Sequence, residues 1–363
     1  MKYTVNKENR PVYLQIYKHL RNDIINESFR YNSKLPSKRL LAEETGVSTV
    51  TVEHAYALLC DEGYAEARER SGYFVIFRKA DGFAASEAKT EPSSRHAARI
   101  KTDYPAFSVS ILSKTMRRVL TDYRDVILDK PPNTGCDVLR SAIKRYLARN
   151  RGIDIKESQI IIGSGAEYLY RLLIELLGRD KTYAVESPSY DKIEQIYAAS
   201  GVSYERLPLS TDGIDSDALS HSNADVLQTT PYRSFPSGVT ASATKRHEYI
   251  RWASKADRII IESDYGSEFS VASQPTETLF ALSNKENIIY MNTFSRTISP
   301  SIRIGYAVLP EKLAVLFNKK LGFYSCTVPT FEQYVLAELI NNGDFERHIN
   351  RVRRSKRKEL NGK

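Results

Sequence analysis

Residues 35–77 read LPSKRLLAEETGVSTVTVEHAYALLCDEGYAEARERSGYFVIF and predict the fold of the N-terminal part of the chain. Ser37 is a residue type that caps helix N-termini, so a helix is expected to begin directly after it. A tight turn at Gly46 leads to Ser48, which predicts a second cap and a helix over residues 49–62. Two capped helices joined by a short glycine turn form a helix-turn-helix. The residues expected to be buried on the second helix are Val52, Ala55, Tyr56, Leu58 and Leu59.

The flanking segments extend this unit to a winged helix. Upstream, apolar residues recur at every fourth position after Pro11, which is typical of one buried stripe on an amphipathic helix. These residues are Val12, Ile16, Leu20 and Ile24. Downstream, residues 64–77 predict two short strands around Ser71-Gly72, with basic residues near the hairpin tip. We therefore expect an α+β winged helix-turn-helix domain over residues 1–78.

This geometry favours double-stranded DNA as a partner. A helix-turn-helix places the start of its second helix in the major groove, where hydroxyls and a helix N-terminus meet phosphates and base edges. Basic residues beside it and on the wing meet neighbouring phosphates or the minor groove. The alternative is a protein-interaction module without DNA binding, because residues 1–79 carry a net charge of only +3. The candidate DNA contacts are Lys38, Arg39, Ser48, Thr49, Thr51, Arg68 and Arg70.

Residues 11–77 resemble the DNA-binding domain of the GntR family of bacterial repressors. The most specific runs are Leu-Pro-Ser-Lys-Arg at 35–39 and Gly-Val-Ser at 46–48. The family usually has arginine where this chain has Thr49, which implies weaker binding or an altered sequence preference. The resemblance places Arg39, Thr49, Thr51 and Gly72 at DNA-contact and wing-tip positions, and Ser37 joins the candidate DNA-binding residues.

The chain has 363 residues and a formal net charge of +9, which is unevenly distributed. Residues 1–79 carry +3, residues 80–345 carry zero and residues 346–363 carry +6. Length and composition, with 41% hydrophobic residues, predict two or three globular domains. The basic run at 347–363 predicts a polar helix or a solvated tail rather than a packed element. Residues 79–102 are small and polar, which predicts an interdomain linker.

The sequence also bears on the compartment. No stretch reaches the ~18 consecutive apolar residues of a membrane span, and residues 1–10 are too polar for a signal peptide. Cys60, Cys136 and Cys326 are scattered and lack metal-ligand spacing, so reduced thiols are expected. These features predict a cytoplasmic protein with no membrane partner and no metal site.

From residue 159 onward, short apolar runs rich in β-branched residues alternate with amphipathic segments of helix length. Continuous apolar strands of this kind predict a mostly parallel sheet covered by helices on both faces, an α/β fold. Ligands of such sheets bind at the carboxyl ends of the strands. The expected strands lie at residues 160–162, 183–185, 225–227, 259–261 and 288–290.

Three strand ends carry residues suited to an anionic ligand. The turn Gly163-Ser164-Gly165 precedes a helix expected to begin near Ala166, and backbone N–H groups there favour a phosphate. Tyr190 brings an aromatic ring to the next strand end. Arg296 and Arg303, seven residues apart across a loop, can converge on one anion. A plain tight turn and a packed surface tyrosine are the alternatives for the first two features.

Residues 105–348 resemble the type I aminotransferase fold, and the full arrangement resembles the MocR subfamily of GntR regulators. Its most specific runs are NTG at 133–135 with Leu139-Arg140, GSGAE at 163–167, TPYRSFPSG at 230–238, ESDYGSEF at 262–269 and TFSRTISPSIRIGY at 293–306. In that subfamily a linker joins the winged helix to an aminotransferase-like domain that binds pyridoxal 5′-phosphate (PLP) as a sensor. The resemblance implies a homodimer. It also implies a phosphate cup of Gly163, Ser164, Gly165, Ser295 and Arg303, ring stacking by Tyr190 and a hydrogen bond from Tyr265 to the ring oxygen.

The departures from the family pattern fall on its chemistry. Where the family has the lysine that bonds covalently to PLP, this chain has Arg296, whose guanidinium cannot supply a neutral amine. Ser263 replaces the acidic partner of the pyridine nitrogen, and Arg233 replaces a histidine beside the ring. Strand alternation directs Asp264 away from the ring, so Glu262 would have to reach it.

Together these features predict a DNA-binding transcriptional regulator and not an enzyme. The aminotransferase-like domain, residues 103–363, ends before most of the small C-terminal subdomain and is expected to serve dimerisation and effector sensing. We hypothesise that Arg233, Arg296 and Arg303 surround a pocket that holds PLP, or another phosphorylated or dicarboxylate anion, without a covalent bond. The alternative is a degenerate copy without a ligand. A PLP-dependent aminotransferase is a further alternative, against which Arg296 argues.

Overall fold

The chain forms two compact units, residues 1–99 and 100–363. The predicted linker at 79–102 and Arg70 lie outside the residues that the structure describes. Within the described residues, no helix combines the length and the apolar character that crossing a membrane requires. The computed structural model describes residues 3–6, 11–69, 71–78, 106–256, 258–271, 277–283 and 286–361.

The first unit is built on three helices: Val12–Ile25 (α1), Lys38–Thr45 (α2) and Thr49–Asp61 (α3). Ser37 caps α2, because its Oγ accepts the N–H of Leu40 at 3.2 Å. Ser48 caps α3 in the same way, accepting the N–H of Thr51 at 3.1 Å. Gly46 ends α2 in the left-handed conformation that turns the chain into α3. The predicted helix-turn-helix is confirmed.

A two-stranded wing follows the helices. Strands Ala65–Arg68 (β1) and Gly72–Val75 (β2) pair antiparallel across the expected hairpin. The core of this unit packs α1 against α3, with apolar side chains from the wing closing it. Val12 and Leu58, both expected to be buried, are only half-buried because each lies at the margin of its helix's apolar stripe.

The second unit contains an eight-stranded sheet in the order β3-β10-β9-β8-β7-β4-β5-β6. Adjacent strands from β9 across to β5 pair in parallel, whereas β10 and β6 pair antiparallel with their neighbours. The predicted, mostly parallel sheet is confirmed. Its strands are Ile160–Gly163 (β3), Thr182–Ser187 (β4), Ser203–Ser210 (β5), Gly213–Ile214 (β6), Val226–Thr229 (β7), Ile259–Ser263 (β8), Ile288–Thr293 (β9) and Gly305–Val308 (β10).

One edge of this sheet collects the strand ends. Because β10 runs against both β3 and β9, β3 runs in the same direction as the parallel strands. The carboxyl ends of β3, β4, β7, β8 and β9 therefore lie together, beside the amino end of β10. In open α/β sheets this edge is where ligands bind.

Helices cover both faces of the sheet. Strand alternation sends Ile160 and Ile162 into one apolar layer and Ile161 into the other. The helices are Val109–Tyr123 (α4), Asp137–Arg151 (α5), Ala166–Leu177 (α6), Asp191–Ser200 (α7), Ser216–His221 (α8), Ala243–Ser254 (α9), Leu279–Leu282 (α10), Glu311–Leu321 (α11), Thr330–Asn341 (α12) and Asp344–Asn361 (α13).

The terminal basic run forms a helix, as one of the two expectations had it, but the beginning of that helix is packed. Within α13, Phe345, Ile349 and Val352 are buried in the core of the second unit. Their spacing of four and three residues forms one apolar stripe, while the basic residues project from the rest of the helix. The polar helix is observed, but the expectation that it would not pack was wrong, because the total charge concealed a short apolar stripe.

Candidate functional site

A cavity of about 260 Å³ opens at the edge where the strand ends meet. Its walls combine aromatic rings, hydroxyls, two arginines and one carboxylate. Every strand end from β3, β4, β7, β8 and β9 contributes to it, as the topology requires. The lining residues are Ala166, Glu167, Tyr170, Tyr190, Thr230, Arg233, Phe235, Ser263, Tyr265, Asn292, Thr293, Ser295 and Arg303.

One end of the cavity is suited to an anion, and we call it the anion end. It consists of Arg303, Ser295 and the first turn of α6. Arg303 lies against the turn before α6, since a Cβ on Gly165 would come within 3.0 Å of its guanidinium. Gly165 has φ +92°, a conformation that favours glycine, and it begins α6. Ser295 supplies a hydroxyl to the same end, and its Oγ donates to the carbonyl of Ile302 at 2.9 Å. A guanidinium, a hydroxyl and a helix N-terminus are the groups that bind phosphate in proteins.

The three residues of the predicted glycine turn do not themselves line the cavity. Gly163 is required for packing instead, because a Cβ there would lie 2.7 Å from the ring of Tyr168. The N–H of Ser164 donates to Oγ1 of Thr327 at 3.2 Å. The turn therefore lies outside the lining of the cavity. It adjoins the lining through Gly165, which lies against Arg303.

Aromatic side chains form the mouth of the cavity. Tyr190, directly after β4, lies edge-on to Phe235 with ring centroids 6.4 Å apart. Tyr265, two residues after β8, also lines the cavity. Both tyrosines are partly exposed, so a planar ligand can reach their faces. Phe235 was not predicted as a site residue, although its position in TPYRSFPSG next to Arg233 was a signal.

Arg296 does not complete the predicted triad of arginines. Its guanidinium carbon lies 4.8 Å from the centre of the Tyr265 ring, as in a cation–π contact. A Cβ on Gly266 would lie 2.6 Å from its Cδ, so the side chain runs along that glycine. Arg233 and Arg303 line the cavity and Arg296 does not. Arg296 packs on the Tyr265 ring, because Gly266 has no side chain to occupy that space.

A buried carboxylate fixes the loop that carries Arg233. Glu186, in β4, accepts from Oγ1 of Thr229 at 2.8 Å, from the N–H of Thr230 at 3.0 Å and from the hydroxyl of Ser234. Burial raises the pKa of Glu186, and these donors oppose that rise. Arg233 lies within this loop at φ +49°. A glutamate inside an otherwise apolar strand was the signal that could have identified this residue.

The part of the cavity around Ser263, which we call the end that lacks an acid, has no carboxylate at the Ser263 position. Oγ of Ser263 meets the Tyr170 hydroxyl at 3.1 Å. Glu262 turns to the other face of the sheet, where it accepts the N–H groups of Leu279 at 2.8 Å and Phe280 at 2.9 Å. Burial raises the pKa of Glu262 to about 8. Glu262 therefore caps α10 and does not reach the cavity.

Asp264 also turns away from the cavity, as strand alternation predicts. Its Oδ2 lies 3.1 Å from Nε of Arg151 and accepts the Tyr290 hydroxyl at 2.6 Å. The side chains of the ion pair are only 4% and 5% exposed. Asp264 therefore takes part in a buried ion pair and does not face the cavity.

The lining of the cavity is suited to a phosphorylated ring. Oγ1 of Thr293 is buried in its wall and has no hydrogen-bond partner among the described residues, so it is available to a ligand. The anion end supplies charge for a phosphate, and the tyrosines supply a stacking surface. None of the described lining residues is a lysine, and Arg296 stands where the aminotransferase pattern has one; Lys192 pairs with the lining residue Glu167 from outside the lining.

The hydroxyls expected to contact DNA also have structural roles. Ser37 and Ser48 are the caps of α2 and α3, and Oγ of Ser48 lies 2.8 Å from Oγ1 of Thr51. Thr49 is exposed at the start of α3. Val50 follows it with 57% of its surface exposed, which is unusual for an apolar residue and which sequence reasoning missed.

The basic candidates on the winged helix differ in their contacts. Lys38 pairs with Glu53 of α3 at 2.7 Å. Arg68 pairs with Glu66 at 2.6 Å and also packs on the Phe74 ring, with 4.3 Å between its guanidinium carbon and the ring centre. Arg39 is exposed, and so is Gly72 at the wing tip.

Comparisons with known proteins agree with both units. The model of the bacterial regulatory proteins of the gntR family matches residues 12–75, and that of aminotransferase class I and II matches residues 126–360. The chain is 31% identical to an uncharacterized HTH-type transcriptional regulator, YdeL of Bacillus subtilis (strain 168), over 96% of this chain and 77% of that protein. It is 27% identical to the probable rhizopine catabolism regulatory protein MocR of Rhizobium meliloti, over 95% of this chain and 74% of that protein.

The second unit also resembles solved aminotransferases. Kynurenine aminotransferase of Pyrococcus horikoshii, in complex with PMP, superposes with a TM-score of 0.60 at 25% identity, over 70% of this chain. This chain spans 66% of that enzyme's chain, just under two thirds.

Fold and site together define a class of protein: a helix-turn-helix regulator whose larger unit has the aminotransferase fold. Within that class, the chain belongs to the MocR-type regulators of the GntR family.

Proposed function

We propose that this regulator binds operator DNA through its winged helix and senses an anionic effector through its aminotransferase-like domain without catalysing transamination. The effector class is PLP or another phosphorylated ring, bound non-covalently. Residues 1–78 form the DNA-binding domain, residues 79–102 the linker and residues 103–363 the sensing domain. The observation that carries this proposal is a cavity with a complete anion end and no lysine among its described lining residues.

Each group in the cavity has a role in this proposal. Arg303 and Ser295, with the N-terminus of α6, hold the phosphate. Tyr190 and Tyr265 flank the ring, and Thr293 offers its unpartnered hydroxyl. Arg233 adds positive charge from the loop that Glu186 fixes. Arg296 acts indirectly, by supporting Tyr265.

The absence of catalysis rests on two positions. PLP supplies an electron sink when it is bonded to a lysine and its ring nitrogen is held protonated by an acid. Arg296 replaces the lysine and packs on Tyr265. Ser263 replaces the acid and meets Tyr170. The groups that remain serve to bind and orient a ligand.

A homodimer would give this regulator its second DNA half-site. A two-fold symmetric regulator reads two half-sites of a pseudo-palindromic operator, one per winged helix. In our proposal, effector binding in the larger unit alters how the two winged helices present themselves to the DNA.

The test is DNA binding measured with and without effector. Fluorescence anisotropy on DNA from upstream of the protein's own gene is recorded across salt concentrations, with and without added PLP. We expect affinity to fall steeply with salt and to change when PLP is present. Arg39→Ala should lower the salt slope by about 1, the effect of losing one phosphate contact. An affinity for DNA that changes neither with salt concentration nor with PLP would contradict the proposal.

A further inference from the structure

The anion end of the cavity already contains a carboxylate. Glu167 lies in the first turn of α6 and lines the cavity beside Arg303. One of its oxygens accepts from the Arg303 guanidinium at 3.1 Å. The other accepts from the Lys192 ammonium of α7. Glu167 therefore neutralises the arginine that a ligand would use.

Three features make this carboxylate effective as an internal anion. It is charged at neutral pH, because Lys192 first and Arg303 second lower its pKa. The N-terminus of α6 stabilises negative charge at that position. Lys192 holds one oxygen independently of Arg303, so Glu167 keeps a partner when Arg303 turns to a ligand.

A ligand must therefore offer Arg303 more than Glu167 does. A monocarboxylate would exchange one carboxylate for another and lose its own freedom of motion, so it gains little. A phosphate dianion brings more charge and three acceptor oxygens, which can also meet the hydroxyl of Ser295 and the backbone of the α6 turn. The balance at Arg303 thus depends on the charge of the ligand.

We propose that Glu167 is an internal counter-ion of Arg303 that every anionic ligand must displace, so that phosphate-bearing ligands bind and monocarboxylates, which gain little at Arg303, do not. Lys192 is the positioning residue that retains Glu167 while a phosphate occupies Arg303. This inference rests on the proposed function, because it assumes that the cavity binds an anion.

The test compares two probes in the full-length protein. Calorimetry measures the affinity for pyridoxal phosphate and for benzoate, an aromatic monocarboxylate, in wild type and in Glu167→Gln. We expect wild type to prefer pyridoxal phosphate strongly. Glu167→Gln should bind both probes more tightly, benzoate by roughly tenfold, because neither then has to displace a carboxylate from Arg303 and one repulsive charge near the ligand has been removed. Pyridoxal phosphate, which carries more negative charge, should gain at least as much affinity as benzoate.

A matched control is available on α7. Glu194→Gln also removes a carboxylate from the first turn of a helix, where it pairs with Arg206, but Glu194 does not line the cavity. We expect this variant to bind both probes as wild type does. Unchanged affinities for both probes in Glu167→Gln, in a protein that binds pyridoxal phosphate, would overturn the role of Glu167 alone. If neither wild type nor the variant binds either probe, the anion site itself is wrong.

A second variant tests the role of Lys192. Lys192→Gln should weaken binding of pyridoxal phosphate severalfold, because Glu167 then has only Arg303 as a partner. In the Glu167→Gln background the same substitution should have a much smaller effect, since the carboxylate it positions is gone. Equal losses in both backgrounds would show that Lys192 acts only through its own charge and would overturn its positioning role.

Discussion

The two ends of the cavity differ in how their side chains are used. At the anion end, Arg303 and Ser295 face the cavity beside the first turn of α6. At the end that lacks an acid, Ser263 lines the cavity, while Glu262 and Asp264 beside it have partners on the other side of the sheet. Side chains suited to a phosphate face the cavity, whereas the two acids next to Ser263 have partners elsewhere. In our proposal, binding and chemistry depend on different residues, so this cavity binds a ligand without catalysis.

The largest expected effect is on the free energy of unfolding and concerns Asp264, the acid that follows Ser263. Asp264→Ala leaves Arg151 buried without its partner, and we expect a loss of about 3–5 kcal/mol in the free energy of unfolding. Denaturant unfolding of the full chain measures it. Asp122→Ala, which breaks the exposed pair with Arg118, is the control and should cost less than about 1 kcal/mol. A stable Asp264→Ala protein would show that the acid is not structural.

The next effect belongs to the anion end. Arg303→Ala should weaken pyridoxal phosphate binding by about 1.5–3 kcal/mol, the range for a hydrogen bond to a charged group, with little change in stability. Calorimetry measures the affinity. Arg206→Ala removes an equally exposed arginine outside the cavity and should leave binding unchanged. If Arg303→Ala bound pyridoxal phosphate with the affinity of wild type, the claim that the anion end binds the phosphate would be wrong.

Glu262, which precedes Ser263 in β8, makes the stability of the protein depend on pH. Its pKa is raised by burial to about 8, so the folded state keeps a proton that the unfolded state releases. Its contribution to stability is complete below the unfolded pKa near 4.5 and is lost as pH rises toward 8. Compared with Glu262→Gln, wild type should lose on the order of 1 kcal/mol or more between pH 5 and pH 8. Parallel pH profiles of the two proteins would contradict this assignment.

The smallest effect concerns the ring surface. Tyr190→Ala removes one stacking partner and should weaken pyridoxal phosphate binding by about 0.5–1.5 kcal/mol. Tyr190→Phe should keep nearly full affinity, because the ring and not the hydroxyl makes the contact. Inorganic phosphate, which has no ring, should bind Tyr190→Ala and wild type equally. Equal losses for both ligands would mean that Tyr190 does not stack on the ring.

Local signals explain why the winged helix was predictable from the sequence. Ser37, Gly46 and Ser48 act within a few residues of themselves, and each forms the cap or turn that its residue type favours. Strands β3, β4, β7, β8 and β9 were predictable as well, because their apolar runs are continuous, whereas β10 was not predicted. Strand β5 escaped prediction because its sequence SYERLPLS is largely polar, and β6 because it has only two residues.

The site was less predictable because its geometry depends on distant residues. Tyr190, Arg233, Tyr265, Ser295 and Arg303 were predicted and do meet in one cavity. The position of Arg296 follows from the space beside Gly266, which no local pattern reveals. The contacts of Glu167 with Lys192 and Arg303 join residues 25 and 136 positions apart, so only the folded chain brings them together.

The central claim is that this cavity binds a phosphorylated ring and forms no covalent bond with it. The most direct measurement is a calorimetric titration of the full-length protein with PLP, followed by borohydride reduction and intact-mass analysis of the same sample. We predict saturable heat of binding and an unchanged protein mass. A mass increase equal to one reduced PLP adduct, or the absence of any heat, would contradict the claim.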